Sequence, residues 1–539
     1  MEQPHPIDPE ATMRQALHHH QAGKLAEAEA LYRRVLEARP DWADAHINLG
    51  LVLMFRGDLR SATLSCKQAV TLQPKHARGH FYLGESFAAQ NRPDSAMACY
   101  KRALALKPDY AEAHNSLGNA LFRLGRLEEA TRAYRNAITS KPGLAEAHNN
   151  LGYMLFQQGH LQESEGHLRR ALLIKPDYIQ ACCNLGAVLG KRGKLAEAEN
   201  CCRQALALQP NQADAHNNLG LILQKRGNLE EAAACFRKTI ALNPNFFEAG
   251  QHLGVVLCEA GRLAEGFEIY NELARRRYGA AVPGSDTVPH KVRHDAEQRA
   301  WLGRDVGEFH LGDGSRVAGA AVNPANRIAE ISALWQSAKP QIVVIDELLT
   351  REALEKLRRF CLDSTVWRQI YEGGYLGAFP EHGFAPPLLA QIAEELRATY
   401  PAIIEDYPLL HFWAFKYDSS LHGIKKHADF AAVNVNFWIT PDEANLEPKQ
   451  GGLVVWDAAA PEDWDFAKYN AAEDDICAFL KQQNSRPVTV PYRANRAVIF
   501  DSDLFHETDV ITFKPGYENR RINVTLLFGR RHLQSRRTG

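Results

Sequence analysis

No apolar run in this sequence is long enough to cross a bilayer as a helix, so no spanning helix is expected. The first residues, MEQPHPIDPEATM, have neither a basic start nor an apolar core, and a secretory leader is not expected either. Charge of one sign is also missing: 63 Lys and Arg stand against 64 Asp and Glu, a net charge of −1. A chain so balanced has no electrostatic reason to bind nucleic acid or an anionic membrane surface. No glycine-rich phosphate loop opens a helix, the device that cradles a nucleotide phosphate in many folds. The ten cysteines include the pairs Cys182-Cys183 and Cys201-Cys202 and fall mostly in helical stretches. They read as small core or surface residues in a reducing compartment, not as a disulfide frame, and a cytoplasmic location is expected.

What is present is length, 539 residues, and two kinds of pattern. A fixed period runs from Pro9 to about residue 280, with repeats starting at Pro9, Ala43, Ala77, Ala111, Ala145, Ile179, Ala213 and Phe247. Leu-Gly recurs from Leu49-Gly50 to Leu253-Gly254, and proline closes the repeats from Pro40 to Pro244. The small glycine lets one helix approach its partner, a second glycine such as Gly125 supplies the turn, and the proline stops the second helix. These features resemble the tetratricopeptide repeat, which implies eight helix pairs stacked into a solenoid with a concave groove over residues 9–280. His46, His80, His114, His148 and His216 share one repeat position; one repeat apart they are too separated to ligate together, and a structural role is expected. Asn48, Asn150, Asn184 and Asn218 each precede Leu-Gly. That Asn-Leu-Gly pattern resembles the repeats of O-linked N-acetylglucosamine transferases and implies an asparagine row holding the backbone of a protein or peptide partner. The other reading is ordinary polar helix surface. Tyr82, Ser116 and His252 interrupt the row, which leaves repeats five to seven as its continuous part.

The period is lost over residues 281–338. Pro283-Gly284-Ser285 marks a break, helices are expected over 290–302 and 328–337, residues 307–320 read as loop, and the segment reads as a joint in which His294-Asp295 is surface-exposed. From Gln341 the pattern becomes short alternating strands, among them residues 341–346, 433–439 and 521–526, with helices from Thr350 to about Cys361 and over 386–400. This points to a double-stranded β-helix, or jelly roll, over residues 339–532 with buttressing helices. The whole is a multidomain chain, an all-α solenoid followed by that β domain. A tail after His532 is expected to be disordered.

Within the β domain His427-Ala-Asp429 is followed by His506 and then by Arg520-Arg521. Two histidines and a carboxylate can cap one face of an octahedral ferrous ion and leave three positions open. These residues resemble the iron(II)- and 2-oxoglutarate-dependent oxygenases of the prolyl-hydroxylase-like branch. The resemblance implies His427, Asp429 and His506 as metal ligands and catalytic centre, and Fe(II), 2-oxoglutarate and O2 as cofactor and co-substrates. It also implies Arg521 as the anchor of the far carboxylate of 2-oxoglutarate, in an Arg-x-Asn-x-Thr strand, and Tyr417 as a second contact. Arg520 remains open as the anchor, because one residue of slip swaps sheet faces. Asn434, Asn436 and Asn523 are candidates to orient ligands, without a choice among them. His411 and His422 read as loop or packing residues, and Lys425-Lys426 as a solvated pair. The insertion 458–487 is either a lid or a surface decoration.

The resemblance implies a dioxygenase, a hydroxylase of a protein or peptide recruited by the repeats. An oxygenase acting on a small molecule, with repeats serving assembly, and a non-catalytic repeat scaffold are the alternatives. A glycosyltransferase is excluded by the short chain after the repeats.

Overall fold

The computed structural model describes residues 8–279, 288–303, 308–404, 406–421 and 424–531. His422, residues 283–285 and the tail after His532 lie outside them. The chain forms two compact units, Met1–Ile222 and Leu223–Gly539. Among the described residues no helix is long and apolar enough to cross a membrane.

The first unit is helical throughout. Its helices follow the sequence period: Ala111–Arg123 then Leu127–Ser140, and Ala145–Gln157 then Leu161–Ile174, for example. The turn between partners needs a left-handed residue, which glycine adopts without a Cβ penalty. Gly125 sits there with a positive φ, and Asn91 takes the equivalent place in the third repeat, also at positive φ. The Leu-Gly glycine permits close approach. A Cβ on Gly118 would stand 2.5 Å from the Tyr134 ring, and on Gly186 2.6 Å from Cys202 Sγ. Cys66 and Cys202 therefore occupy the core position that Tyr100 and Tyr134 fill elsewhere, all four buried. No cysteine among the described residues is in a disulfide. The repeated histidines clasp the preceding turn: His46, His80, His114 and His216 each place Nε2 2.9 Å from the carbonyl of the proline six residues earlier, and His148 does so at 3.1 Å. A carbonyl only accepts, so each Nε2 carries the proton and donates.

The second unit contains the last repeat helices, Leu229–Leu242, Phe247–Glu259 and Leu263–Tyr278, together with all strands. The strands are β1 (Ile342–Ile345), β2 (Gln369–Tyr371), β3 (Tyr375–Ala378), β4 (Leu409–Tyr417), β5 (Ser420–Leu421) and β6 (Val433–Trp438). They continue with β7 (Leu453–Ala459), β8 (Pro487–Val490), β9 (Ala497–Asp501), β10 (Leu504–Thr508), β11 (Ile511–Thr512) and β12 (Ile522–Phe528). A seven-stranded antiparallel sheet has the order β1-β9-β6-β12-β4-β3-β2, a three-stranded one β10-β7-β8, and β11 pairs with β5.

Period-two alternation decides what each face of the large sheet meets. Phe412, Ala414, Val435, Phe437, Ile499, Val524 and Leu526 face one core with helices Arg351–Asp363 and Pro387–Thr399. Thr350 caps the first of these by accepting from the Ala353 N–H. Tyr417, Trp438, Val498 and Phe500 face the other way, against Leu453, Val455 and Val490 of the small sheet.

The joint expected over 281–338 behaves differently where it is described. Helix Pro289–Leu302 packs on this unit, with Gln298 Nε2 donating to the Ser364 carbonyl at 2.8 Å. His294, expected at the surface, is fully buried with its ring 5.4 Å from that of Tyr517; the sequence window around it carries no apolar periodicity to signal this. The last repeat is also part of the core: Cys258, Leu263, Phe267 and Tyr270 share a cluster with the sheet, and Phe267 stacks on Phe412 at 4.5 Å.

Candidate functional site

His427, Ala428 and Asp429 lie in an extended segment just before β6, held at three successive backbone positions. His427 N–H donates to the His506 carbonyl at 3.0 Å and receives the reverse bond at 2.8 Å. Ala428 N–H donates to the Tyr469 carbonyl at 3.0 Å, and Asp429 N–H to the Ser502 carbonyl at 3.1 Å. Strand β10 shifts register between Leu504 and His506, an irregularity of the kind that re-aims a side chain. The result is one cluster: ligand atoms of His427, Asp429 and His506 all lie within 4.8 Å of one another.

Both imidazoles are oriented by backbone. His427 Nδ1 is 2.8 Å from the Lys425 carbonyl and His506 Nδ1 3.1 Å from the Leu504 carbonyl. A carbonyl requires a proton on each Nδ1, which leaves each Nε2 with a free lone pair. Burial, then the neighbouring His506, pushes the His427 pKa down to about 4, so its lone pair stays available at neutral pH. For Asp429 burial acts upward, but the neighbouring His506 and His427 and a hydrogen bond from Asn434 outweigh it and hold the carboxyl below its usual range. Asn434 Nδ2 donates to Asp429 Oδ2 at 2.6 Å. Two lone pairs and an oriented carboxylate suit a divalent transition ion.

The same inner face continues as a polar row. Asn523 pairs across with Trp438 and Phe415, and Thr525 with Asn436 and Trp413, so Asn434, Asn436, Asn523 and Thr525 all point between the sheets. Asn434 is the one that bonds to the carboxylate, while Asn436 Nδ2 donates to Thr525 Oγ1 at 3.1 Å.

Arg521 lies at the end of this row, 1% exposed. Its Nε donates to the Gly451 carbonyl at 2.7 Å, Nη2 to the Gly452 carbonyl at 3.2 Å and Nη1 to Asn523 Oδ1 at 3.3 Å. These are neutral acceptors, and one N–H on each Nη remains. Tyr417 lies under the guanidinium, 4.7 Å from ring centroid to Cζ. Its buried hydroxyl has no partner within hydrogen-bond geometry among the described residues, although Thr508 and the Arg521 guanidinium are both close. Thr508 sits two residues from His506 on β10, on the same side of the strand. Sequence reasoning misses it, though His-x-Thr at strand spacing is the available signal.

Arg520 faces the opposite way. Its Nε is 2.9 Å from Glu297 and its Nη1 3.2 Å from Asp418, so its charge is already neutralised. The structure thus separates the two arginines, as one residue of phase must.

His427 and Asp429 open into a cavity of about 660 Å³. His411, expected as a loop or packing residue, lines it from β4, its ring 4.6 Å from Phe430, and burial pushes its pKa down to about 4. Phe466 and Asn470 of the insertion line it too. The insertion folds into helices Phe466–Ala471 and Glu473–Gln482 and supplies the Tyr469 carbonyl that holds Ala428. Lys425, still solvated, pairs at the surface with Glu473 at 2.6 Å, and Lys426, expected as solvated too, is mostly covered and pairs with Glu507 at 3.0 Å.

In the first unit the asparagine row bonds across repeats. Arg78 Nη2 donates to Asn48 Oδ1 at 2.8 Å, and Asn48 is buried. Asn150 Nδ2 lies 3.0 Å from Asn115 Oδ1 and 3.1 Å from Asn119 Oδ1. Asn184 Nδ2 donates to Asn149 Oδ1 at 2.9 Å, and Asn218 Nδ2 to the Cys183 carbonyl at 3.1 Å. Asn150, Asn184 and Asn218 remain half-exposed.

Among known proteins, residues 213–246 match the tetratricopeptide repeat model, and residues 1–221 match the model described as the cilia and flagella-associated protein 70 C-terminal domain. The chain therefore carries tetratricopeptide repeats. Similar solved structures include the APC/C hetero-tetramer Cut9-Hcn1, at 20% identity and TM-score 0.42, covering 47% of this chain and 50% of that one. Others are YrrB, a TPR protein with an unusual peptide-binding site, at 23% identity and TM-score 0.30, covering 34% and 95%, and Pseudomonas aeruginosa pilF, at 22% and 0.36, covering 38% and 94%. The first of these matches spans half the length of that chain. No curated protein matches.

Proposed function

We propose that the second unit is an iron(II)- and 2-oxoglutarate-dependent dioxygenase of jelly-roll fold, acting on a protein or peptide recruited by the repeats. The observation that carries this is the pairing of two sites on one inner face. Two Nε2 lone pairs and a carboxylate lie within 4.8 Å of one another, and near them is a buried guanidinium with no carboxylate partner among the described residues. An unpaired buried cation is costly. The free N–H on each Nη of Arg521, with the unfilled Tyr417 hydroxyl, forms a carboxylate receptor. His427, Asp429 and His506 would hold the metal, and Arg521 and Tyr417 the far carboxylate of 2-oxoglutarate. When bound, that pair supplies oxidation in which 2-oxoglutarate and O2 give succinate, CO2 and a hydroxylated substrate.

The chain's own contribution is orientation. The Lys425 and Leu504 carbonyls fix the imidazole tautomers, Asn434 turns the Asp429 carboxylate, and the aromatic walls exclude water. Half-exposed Asn150, Asn184 and Asn218 would meet a peptide backbone by exchanging or sharing the inter-repeat bonds their amides now make.

A repeat scaffold whose β region does no chemistry is the second reading. It is favoured by the comparisons, whose family models reach no further than residue 246. Anaerobic titration separates the two. Fe(II) with 2-oxoglutarate should give a weak visible charge-transfer band that His506→Ala abolishes. No band in the unsubstituted chain, with no 2-oxoglutarate binding, would leave the scaffold.

A further inference from the structure

The cavity beside the triad has a wall that the oxygenase reading leaves unexplained. Tyr371 and Tyr375 stack at 4.5 Å with 10° between planes, and Phe415 meets both edge-on at 5.7 and 5.4 Å. Phe379 and Trp413 extend this wall, 6.1 and 6.2 Å from Phe415. The placement follows from strand phase: Trp413 and Phe415 alternate on β4 with buried Phe412 and Ala414, and Gly377, opposite Phe415, makes room for the Phe379 and Tyr371 rings, which a Cβ there would meet at 2.7 and 3.2 Å. All five rings line the cavity.

The wall's charges are almost all committed. Lys425 is paired with Glu473, and Asp429 is held by Asn434 and His506. Glu381 is the exception. It lines the same cavity from the short turn Pro380–His382, half-buried, with no ion pair or hydrogen bond to another residue among the described residues. Only its own backbone N–H and the more distant charge of Arg277 favour its ionised form, and burial raises its pKa above the usual carboxylate value. A carboxylate left without an ion-pair partner in a pocket walled by aromatic rings is a receptor for a cation. The ring quadrupoles attract positive charge, and the anion completes it.

We propose that this cavity takes an alkyl cation, the side chain of a lysine or arginine in the substrate, with Glu381 as its counter-ion and the Tyr371, Tyr375, Trp413 and Phe415 rings as its wall. That this residue is then oxidised rests on the oxygenase reading; its selection does not. A neutral substrate would leave Glu381 desolvated and unpaired, so selectivity for charge is built into the pocket rather than into the repeats.

The test uses the full chain and ligand-observed NMR with N-acetyl-lysine methylamide, its arginine counterpart and the uncharged norleucine isostere, with and without Mn(II) and 2-oxoglutarate. The cationic amides should bind about tenfold tighter than norleucine, and Glu381→Gln should bring the three to parity. Circular dichroism and Mn(II) affinity should stay unchanged in that variant, because Glu381 is outside the ligand set. Trp413→Leu should weaken the cationic amides while sparing norleucine. Norleucine binding as well as lysine, a preference that survives Glu381→Gln, or no saturation transfer to any amide would overturn the proposal. Absence of Mn(II) and 2-oxoglutarate binding alongside an intact cation preference would instead remove the oxygenase reading and leave the cation pocket standing.

Discussion

At Arg521 a guanidinium has left water without meeting an anion, and burial pulls its pKa below the usual value. A carboxylate guest would restore the lost charge pairing at about 1.5–3 kcal/mol. Arg521→Gln should therefore weaken 2-oxoglutarate binding roughly ten- to a hundredfold by calorimetry. Arg520→Gln should leave that affinity alone and lower the melting temperature instead, because it strands Glu297 and leaves Asp418 with Arg293 alone. A larger affinity loss at Arg520 would reverse the assignment. The Arg-x-Asn-x-Thr pattern favours Arg521 without closing the choice, since a slip of one residue would reverse it, and nothing local announces the counter-ions of Arg520. Those come from residues distant in sequence. A second residue-scale effect concerns protons. Burial, then Arg277 and Arg368, pushes His382 down to about 4 from 6.5. A depressed histidine leaves the unfolded chain binding the proton first, so its contribution is complete above pH 6.5 and is lost as pH falls toward 4. It amounts to about 2–3 kcal/mol at most. Urea melts between pH 7 and 4 should show a shallower acid decline in His382→Gln.

Along single elements the period carries most of the information. The positions of the paired helices follow from glycine and proline spacing, and the helix expected over 328–337 has those ends in the structure. What periodicity does not convey is which neighbour each repeated polar residue meets. The histidines clasp the preceding proline carbonyl; Asn150, Asn184 and Asn218 bond to the repeat before, whereas Asn48 accepts from Arg78 of the repeat after. In Gly118→Ala the new methyl would stand 2.5 Å from a ring with little room to retreat. That substitution should destabilise the repeats by about 1–3 kcal/mol. Asn150→Ala removes the bonds to Asn115 and Asn119. It should also cost stability, by about 1 kcal/mol for each bond lost. A loss of peptide affinity in that variant must therefore be compared with its thermal melt. An unchanged melt would show that the inter-repeat bond is idle and the amide free for a ligand. The insertion 458–487 is legible only as excess length; its grip on Ala428 depends on a backbone carbonyl, which no side-chain pattern encodes.

For the molecule as a whole, the repeat pattern and the compact units divide the chain differently. The period runs to about residue 280, but the last helix pair shares its core with the sheet region. Repeats look alike in sequence whatever they pack on, so the period does not show this. Leu263, Phe267 and Tyr270 are each at most 4% exposed. Burying one such side chain contributes roughly 1.5–3 kcal/mol. Removing all three takes away about 5–9 kcal/mol, which rivals the roughly 5–15 kcal/mol by which domains are stable. Asn271, which donates to the Ala385 carbonyl at 2.9 Å, and the Glu259–Arg530 pair would go with them. A protein beginning at residue 281 should therefore lack a cooperative thermal transition and dispersed amide signals, while one beginning at residue 223 should keep both. The cavity argues the same way, since Gln251, Val255 and Tyr270 form part of its wall. If the shorter protein melts cooperatively at the temperature of the longer one, the last repeat is an appendage. If it does not, the repeat that ends the solenoid is a structural part of the second unit as well as a wall of its cavity.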